Sequence, residues 1–143
     1  MLRTVSWILL VVAAGLTVLG SAVSAGVALR GANEQIGSSN LEELSGGREG
    51  VGTALRARRL TAAAYAAGFG VLLLFIAAAP YRRGDVWAWW GVLAGMLTVV
   101  LLILARVPVL GVRTGSGTAL VMLGVVGLAL LLDVGRLRRA VGS

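Results

Sequence analysis

Residues 60–79 read LTAAAYAAGFGVLLLFIAAA, residues 80–85 read PYRRGD, and residues 86–105 read VWAWWGVLAGMLTVVLLILA. A bilayer core takes about 20 apolar residues per helix, and each flanking run has that length. Only six polar or turn-forming residues separate them. A link that short predicts two antiparallel helices, Leu60–Ala79 and Val86–Ala105, joined as a hairpin. Outward from this pair lie two more apolar runs, Trp7–Leu29 and Thr118–Leu132. The last is short but extends at its ends through Gly115, Gly117, Val134 and Gly135. In lipid the main chain must satisfy its own hydrogen bonds, so runs of this kind are expected as helices, with no β-sheet. The expected fold is an all-α, four-transmembrane-helix bundle with a polar loop, residues 30–59, between helices 1 and 2.

Composition agrees. The chain has 143 residues, 58% of them hydrophobic and 13% charged, with mean hydropathy +0.93. That charge fraction is about half of what a soluble domain carries. Four spans and their links use up the length, so a single integral membrane domain is expected. The net charge is +7, and every basic residue is arginine. These arginines flank apolar runs, where they meet lipid phosphates, so membrane lipids and not nucleic acid are the expected partners. Arginine without lysine is also what a GC-rich bacterial genome yields. The start of the chain, one arginine followed by an apolar run and small residues, resembles a secretory signal. Its apolar run is longer than such a signal's core, so it is read as a retained span.

Residues 30–59 hold all four glutamates, Glu34, Glu42, Glu43 and Glu49. Ser39 and Glu42 stand at capping-box spacing, which predicts a short helix over 40–44. Gly46, Gly47, Gly50 and Gly52 predict a loose stretch after it. From Thr53 the pattern turns helical, so helix 2 is expected to project one or two turns ahead of Leu60. Pro80 is expected to end it.

Small residues recur at helix-turn spacing: Gly20 with Ser24, Gly91 with Gly95, and Gly124 with Gly127. Such pairs let backbones approach closely, so they are expected on packing faces, within the bundle or against another copy. Trp7, Tyr81, Trp87, Trp89 and Trp90 all fall on the side of both termini if there are four spans, which makes a one-sided aromatic belt. Arginine numbers barely separate the sides. Arg82, Arg83 and the tail arginines directly abut spans, however, and this favours cytoplasmic termini in a cell-membrane protein.

The chemistry is bounded by what is missing. There is no histidine and no cysteine. Histidine-held haem, the usual zinc sites, dithiol exchange and a Ser-His-Asp triad are therefore excluded, and no catalytic residue, metal or cofactor is expected. No charged residue lies in the middle of a span, unlike the usual ion-coupled transporter. The hydroxyls within spans, on Thr17, Ser21, Ser24, Thr61, Tyr65 and Thr98, are read as packing groups bonded to their own helices. Arg106 is expected at a span end as a lipid-phosphate or anion contact, or as a partner of Glu34, Glu42 or Glu43. Asp133 is expected in an ion pair with Arg136, near Arg82 and Arg83. The functional expectation is a non-catalytic structural or accessory subunit, or a self-associating bundle, with a homo-oligomer or a larger membrane complex as context. A small transporter or channel component is the alternative, and a lipid-binding or lipid-modifying protein using Arg106 and loop 1 is the third reading.

Overall fold

The structure, a computed structural model, describes residues 2–30, 35–36, 39–40, 43, 46, 49–110 and 116–137. The chain is all-α, with four helices long and apolar enough to cross a membrane. Helix α1 covers Leu2–Arg30, α2 Glu49–Ile76, α3 Val86–Leu110 and α4 Ser116–Leu132. Within the four spans only 22–28% of residues are buried, so most of each span is left to lipid or to a partner.

Helix α2 begins at Glu49, earlier than the expected one or two turns before Leu60. Gly50 and Gly52 lie inside it, although each glycine costs a helix about 1 kcal/mol relative to alanine. Gly52 is buried, and packing there overrides the propensity. The polar loop is correspondingly shorter than 30–59. Among the described residues it also contains a departure from an all-helical chain: Gln35–Ile36 pairs antiparallel with Ser39–Asn40, where no β-structure was expected. The short helix expected over 40–44 lies mostly outside the described residues, and Asn40 belongs to the second strand instead. The Asn40 N–H donates to the Glu43 carboxylate at 3.1 Å, one of the two bonds of a capping box.

Pro80 does not end α2. The chain continues through a π-helical turn, Ala77–Tyr81, with Pro80 inside it. Proline has no N–H and its ring clashes with the carbonyl four residues back. A wider π turn relieves that clash, and π turns are known as single insertions of this kind. The Asp85 N–H then donates to Pro80 O, five residues back, at 3.0 Å. The true stop is Gly84, at φ +103, a conformation that glycine adopts readily. Likewise α3 runs past Ala105 to Leu110, with Pro108 in its last turn.

The molecule divides into two compact units, residues 1–15 with 72–143, and residues 16–71. In the first, α3 packs along α4. The buried residues of α3 are Ala88, Trp89, Val92, Met96 and Val100, a row of near four-residue steps. On α4 they are Val126, Ala129 and Leu130. Each set forms one face of its helix. Leu10, Ala13 and Ala14 of α1, with Leu73, Ala77 and Tyr81 on the α2 side, are also buried in this unit. In the second unit the buried residues are Ser21, Ala28, Gly52, Ala63 and Gly70, all of them small.

Candidate functional site: a buried polar knot at the helix ends

The first unit buries four polar side chains together: Ser6 from α1, Tyr81 from the π turn, and Asp133 and Arg136 from the end of α4. Burying such groups in apolar surroundings is costly unless each finds a partner. The local backbone supplies several. Past Leu130 the α4 chain tightens into three-residue steps: Asp133 N–H donates to Leu130 O, Val134 to Leu131, Arg136 to Asp133 and Leu137 to Val134. This 3₁₀-type ending draws the Asp133 amide to Leu130, three back instead of four. The Ala129 carbonyl accepts the Ser6 hydroxyl at 2.6 Å.

The proton on Ser6 is thereby assigned. Ser6 has one hydroxyl hydrogen and gives it to Ala129, so in the 2.7 Å contact between Ser6 Oγ and Tyr81 Oη the tyrosine donates. Arg136 is 5% exposed. Its Nη2 pairs with Asp133 Oδ2 and also donates to Tyr81 O at 2.7 Å, while Nη1 donates to Asp85 O at 3.1 Å. The guanidinium carbon lies 4.1 Å from the centre of the Tyr81 ring. Carbonyls at a helix C-terminus carry partial negative charge, so a cation fits at the end of the π turn. The Arg136 Nε is buried without a hydrogen-bond partner. Beside the knot, the Trp89 indole N–H donates to Leu130 O at 3.1 Å, fixing α3 to α4. Trp89 stands edge-on to Trp90, with ring centres 4.9 Å apart.

A shell of arginines surrounds the same end. Arg3 Nη2 donates to Arg82 O at 3.0 Å. The Arg82 guanidinium lies 5.1 Å from the centre of the Trp7 ring, a cation–π contact. Arg83 stands 3.9 Å from Asp85. Asp133, Arg82 and Arg83 thus lie in one unit, Asp133 inside the knot and the two arginines exposed around it.

The other sequence-selected residues lie elsewhere. Ser24 accepts a 3.0 Å hydrogen bond from Arg59 Nε in the second unit. Gly20, Gly91 and Gly124 are exposed, Gly95 and Gly127 half-buried, and a Cβ built on Gly20, Gly91, Gly124 or Gly127 meets no atom within 4 Å. Arg106 is helical, but its side chain lies outside the described residues, as do Glu34 and Glu42. The hydroxyls of Ser21, Thr61 and Thr98 each bond the carbonyl four residues back, on Thr17, Ala57 and Ala94.

Ser6 escapes a sequence reading because it precedes Trp7, where the apolar run begins. Tyr81 reads as an interfacial aromatic because its polar partner on α1 is 75 residues away. Only the three-residue spacing of Asp133 and Arg136 signals the knot in advance. Apart from the Arg136 Nε, the knot is chemically closed. The Ser6 hydrogen points to a main-chain carbonyl, and the Asp133 carboxylate is held by Arg136. No group of three or more metal-ligating side chains exists among the described residues. Compared with known proteins, the chain matches no family model, no curated protein and no solved structure.

Proposed function

We propose that this chain is a multi-pass integral membrane protein of a bacterial cell membrane. It performs no catalysis and serves as a structural or accessory subunit or as a self-associating bundle. The observation that carries this reading is the division of labour between its polar and apolar groups. Ser6, Tyr81, Asp133 and Arg136, the side chains with chemical potential in the first unit, hold one another and the ends of helices. Large apolar side chains face outward along the spans, among them Leu16, Leu19, Val23, Leu72, Phe75, Leu101, Leu102, Val121 and Leu131. Such faces suit lipid or a partner helix. Both termini lie in the cytoplasm, with Arg82 and Arg83 on the same side.

Two measurements test the reading. The chain has no native cysteine, so Ser45→Cys and Ser143→Cys each create a single labelling site. An impermeant maleimide is expected to label Ser45→Cys on intact cells and Ser143→Cys only after permeabilisation. The reverse pattern overturns the orientation. Native mass spectrometry from nanodiscs is expected to release an oligomer or a complex of fixed stoichiometry. A lone chain there and after crosslinking in native membranes overturns the subunit role.

A further inference from the structure

The link between the π turn and α3 carries two arginines, and a third, Arg3 of α1, meets them there. Arg3, Arg82 and Arg83 are all exposed. Arg3 reaches from α1 across Gly84, where a side chain would collide with it: a Cβ on Gly84 would fall 2.3 Å from Arg3 Nη2. It is held there by the Arg82 carbonyl. The Arg82 guanidinium is set over Trp7. Asp133 is buried and taken by Arg136, so it offers these arginines nothing. Asp85 is the remaining acid at this end, and it lies 3.9 Å from Arg83. Among the described residues neither Arg3 nor Arg82 pairs with a carboxylate. Trp87 and Trp90, 60% and 54% exposed, follow immediately on α3. The result is a fixed excess of positive charge beside exposed indoles at the end of apolar spans. A guanidinium offers five N–H donors in a planar fork that matches phosphate oxygens.

We propose that Arg3, Arg82 and Arg83 form a binding site for the phosphate of an anionic phospholipid, with Trp87 and Trp90 lying against its glycerol and upper acyl region. Arg82 and Arg83 supply charge from the link, and Arg3 closes over Gly84 from α1. One phosphate placed among them relieves the mutual repulsion of the cations and fixes α1 to the α2–α3 link through the lipid. The inference rests on the membrane placement proposed above and adds headgroup selectivity at a defined place.

All four tryptophans of the chain, Trp7, Trp87, Trp89 and Trp90, lie in this unit, so tryptophan emission reports on this end alone. The full chain is reconstituted in phosphatidylcholine vesicles containing phosphatidylglycerol or phosphatidylcholine brominated high on the acyl chain. The brominated phosphatidylglycerol is expected to quench more strongly. Each arginine is expected to contribute about fivefold to the relative association at low salt. Arg3→Gln/Arg82→Gln should lose most of the preference while keeping its helical circular dichroism. If that pair fails to fold, Arg83→Gln carries the test, since its side chain is 71% exposed. Equal quenching by the two lipids in the incorporated wild-type chain overturns the headgroup site alone. So does an undiminished preference in the folded variants. Failure of the chain to enter pure phosphatidylcholine vesicles overturns the membrane reading as well.

Discussion

The two compact units are held by different means. In residues 16–71 every buried described residue is Gly, Ala or Ser, and Arg59 bonds Ser24 between the helices. In residues 1–15 with 72–143 the buried set includes Leu10, Leu73, Tyr81, Trp89, Met96 and Leu130, together with the Ser6–Tyr81–Asp133–Arg136 knot. Where lipid is the solvent, helices gain little from hiding apolar surface from one another. Close approach of slim faces is one remedy, and polar bonds that lipid cannot replace are the other. The first unit relies on the second remedy, whereas in residues 16–71 the helices make few close backbone approaches and bury only small residues. Sparse contacts tolerate small changes, whereas a buried polar network fails when one member is removed.

The largest effect is expected from Asp133→Ala, which strands Arg136 in a buried site. Breaking a buried pair from one side costs about 3–5 kcal/mol. Unfolding in a detergent titration should show a loss of that size. A loss below about 1 kcal/mol would mean the pair behaves as an exposed one, and the contrast between the units would dissolve.

Next comes the Ser6–Tyr81 bond. Tyr81→Phe keeps the ring under Arg136 but removes the hydroxyl donor, at an expected cost of about 1 kcal/mol. Ser6→Ala should cost more, because it also removes the hydrogen bond to Ala129. A double-mutant cycle of the two is expected to show coupling of at least about 0.5 kcal/mol. Strict additivity would show that the two hydroxyls do not act as one unit.

In the other unit Ser24→Ala is expected to cost only about 0.6 kcal/mol, the average for an interhelical polar bond in a membrane bundle. A cost rivalling that of Asp133→Ala would show that the second unit also depends on a polar fastener. The smallest folding effect is expected from Gly91→Ala. An added Cβ meets open space there, and alanine favours the helix over glycine by up to about 1 kcal/mol. Unfolding should be unchanged or slightly harder. If the same variant dissociates an oligomer, Gly91 lies against another copy and not within its own chain.

How far the sequence could be read depended on the range of each interaction. Apolar length alone marked the helices, because span length is a property of the chain and the bilayer. Ends were less legible. Glu49 starts α2 ahead of two glycines, and Pro80 passes inside a π turn, because burial and a changed hydrogen-bond step outweighed local propensity. Asp133 and Arg136 could be paired from their spacing, since one helical turn brings them together.

By itself the sequence determined four apolar helices, the clustering of three of the four tryptophans at the start of α3, and the absence of histidine and cysteine chemistry. All three depend only on which residues are present and in what order. The tertiary structure alone decided that Ser6 meets Tyr81 and Ala129, that Arg136 closes the ends of two helices, and that Arg3 reaches over Gly84 to Arg82. These contacts join residues 51 to 123 positions apart. No local periodicity encodes them, because they arise only once the helix ends are brought side by side and each buried polar group must find a partner.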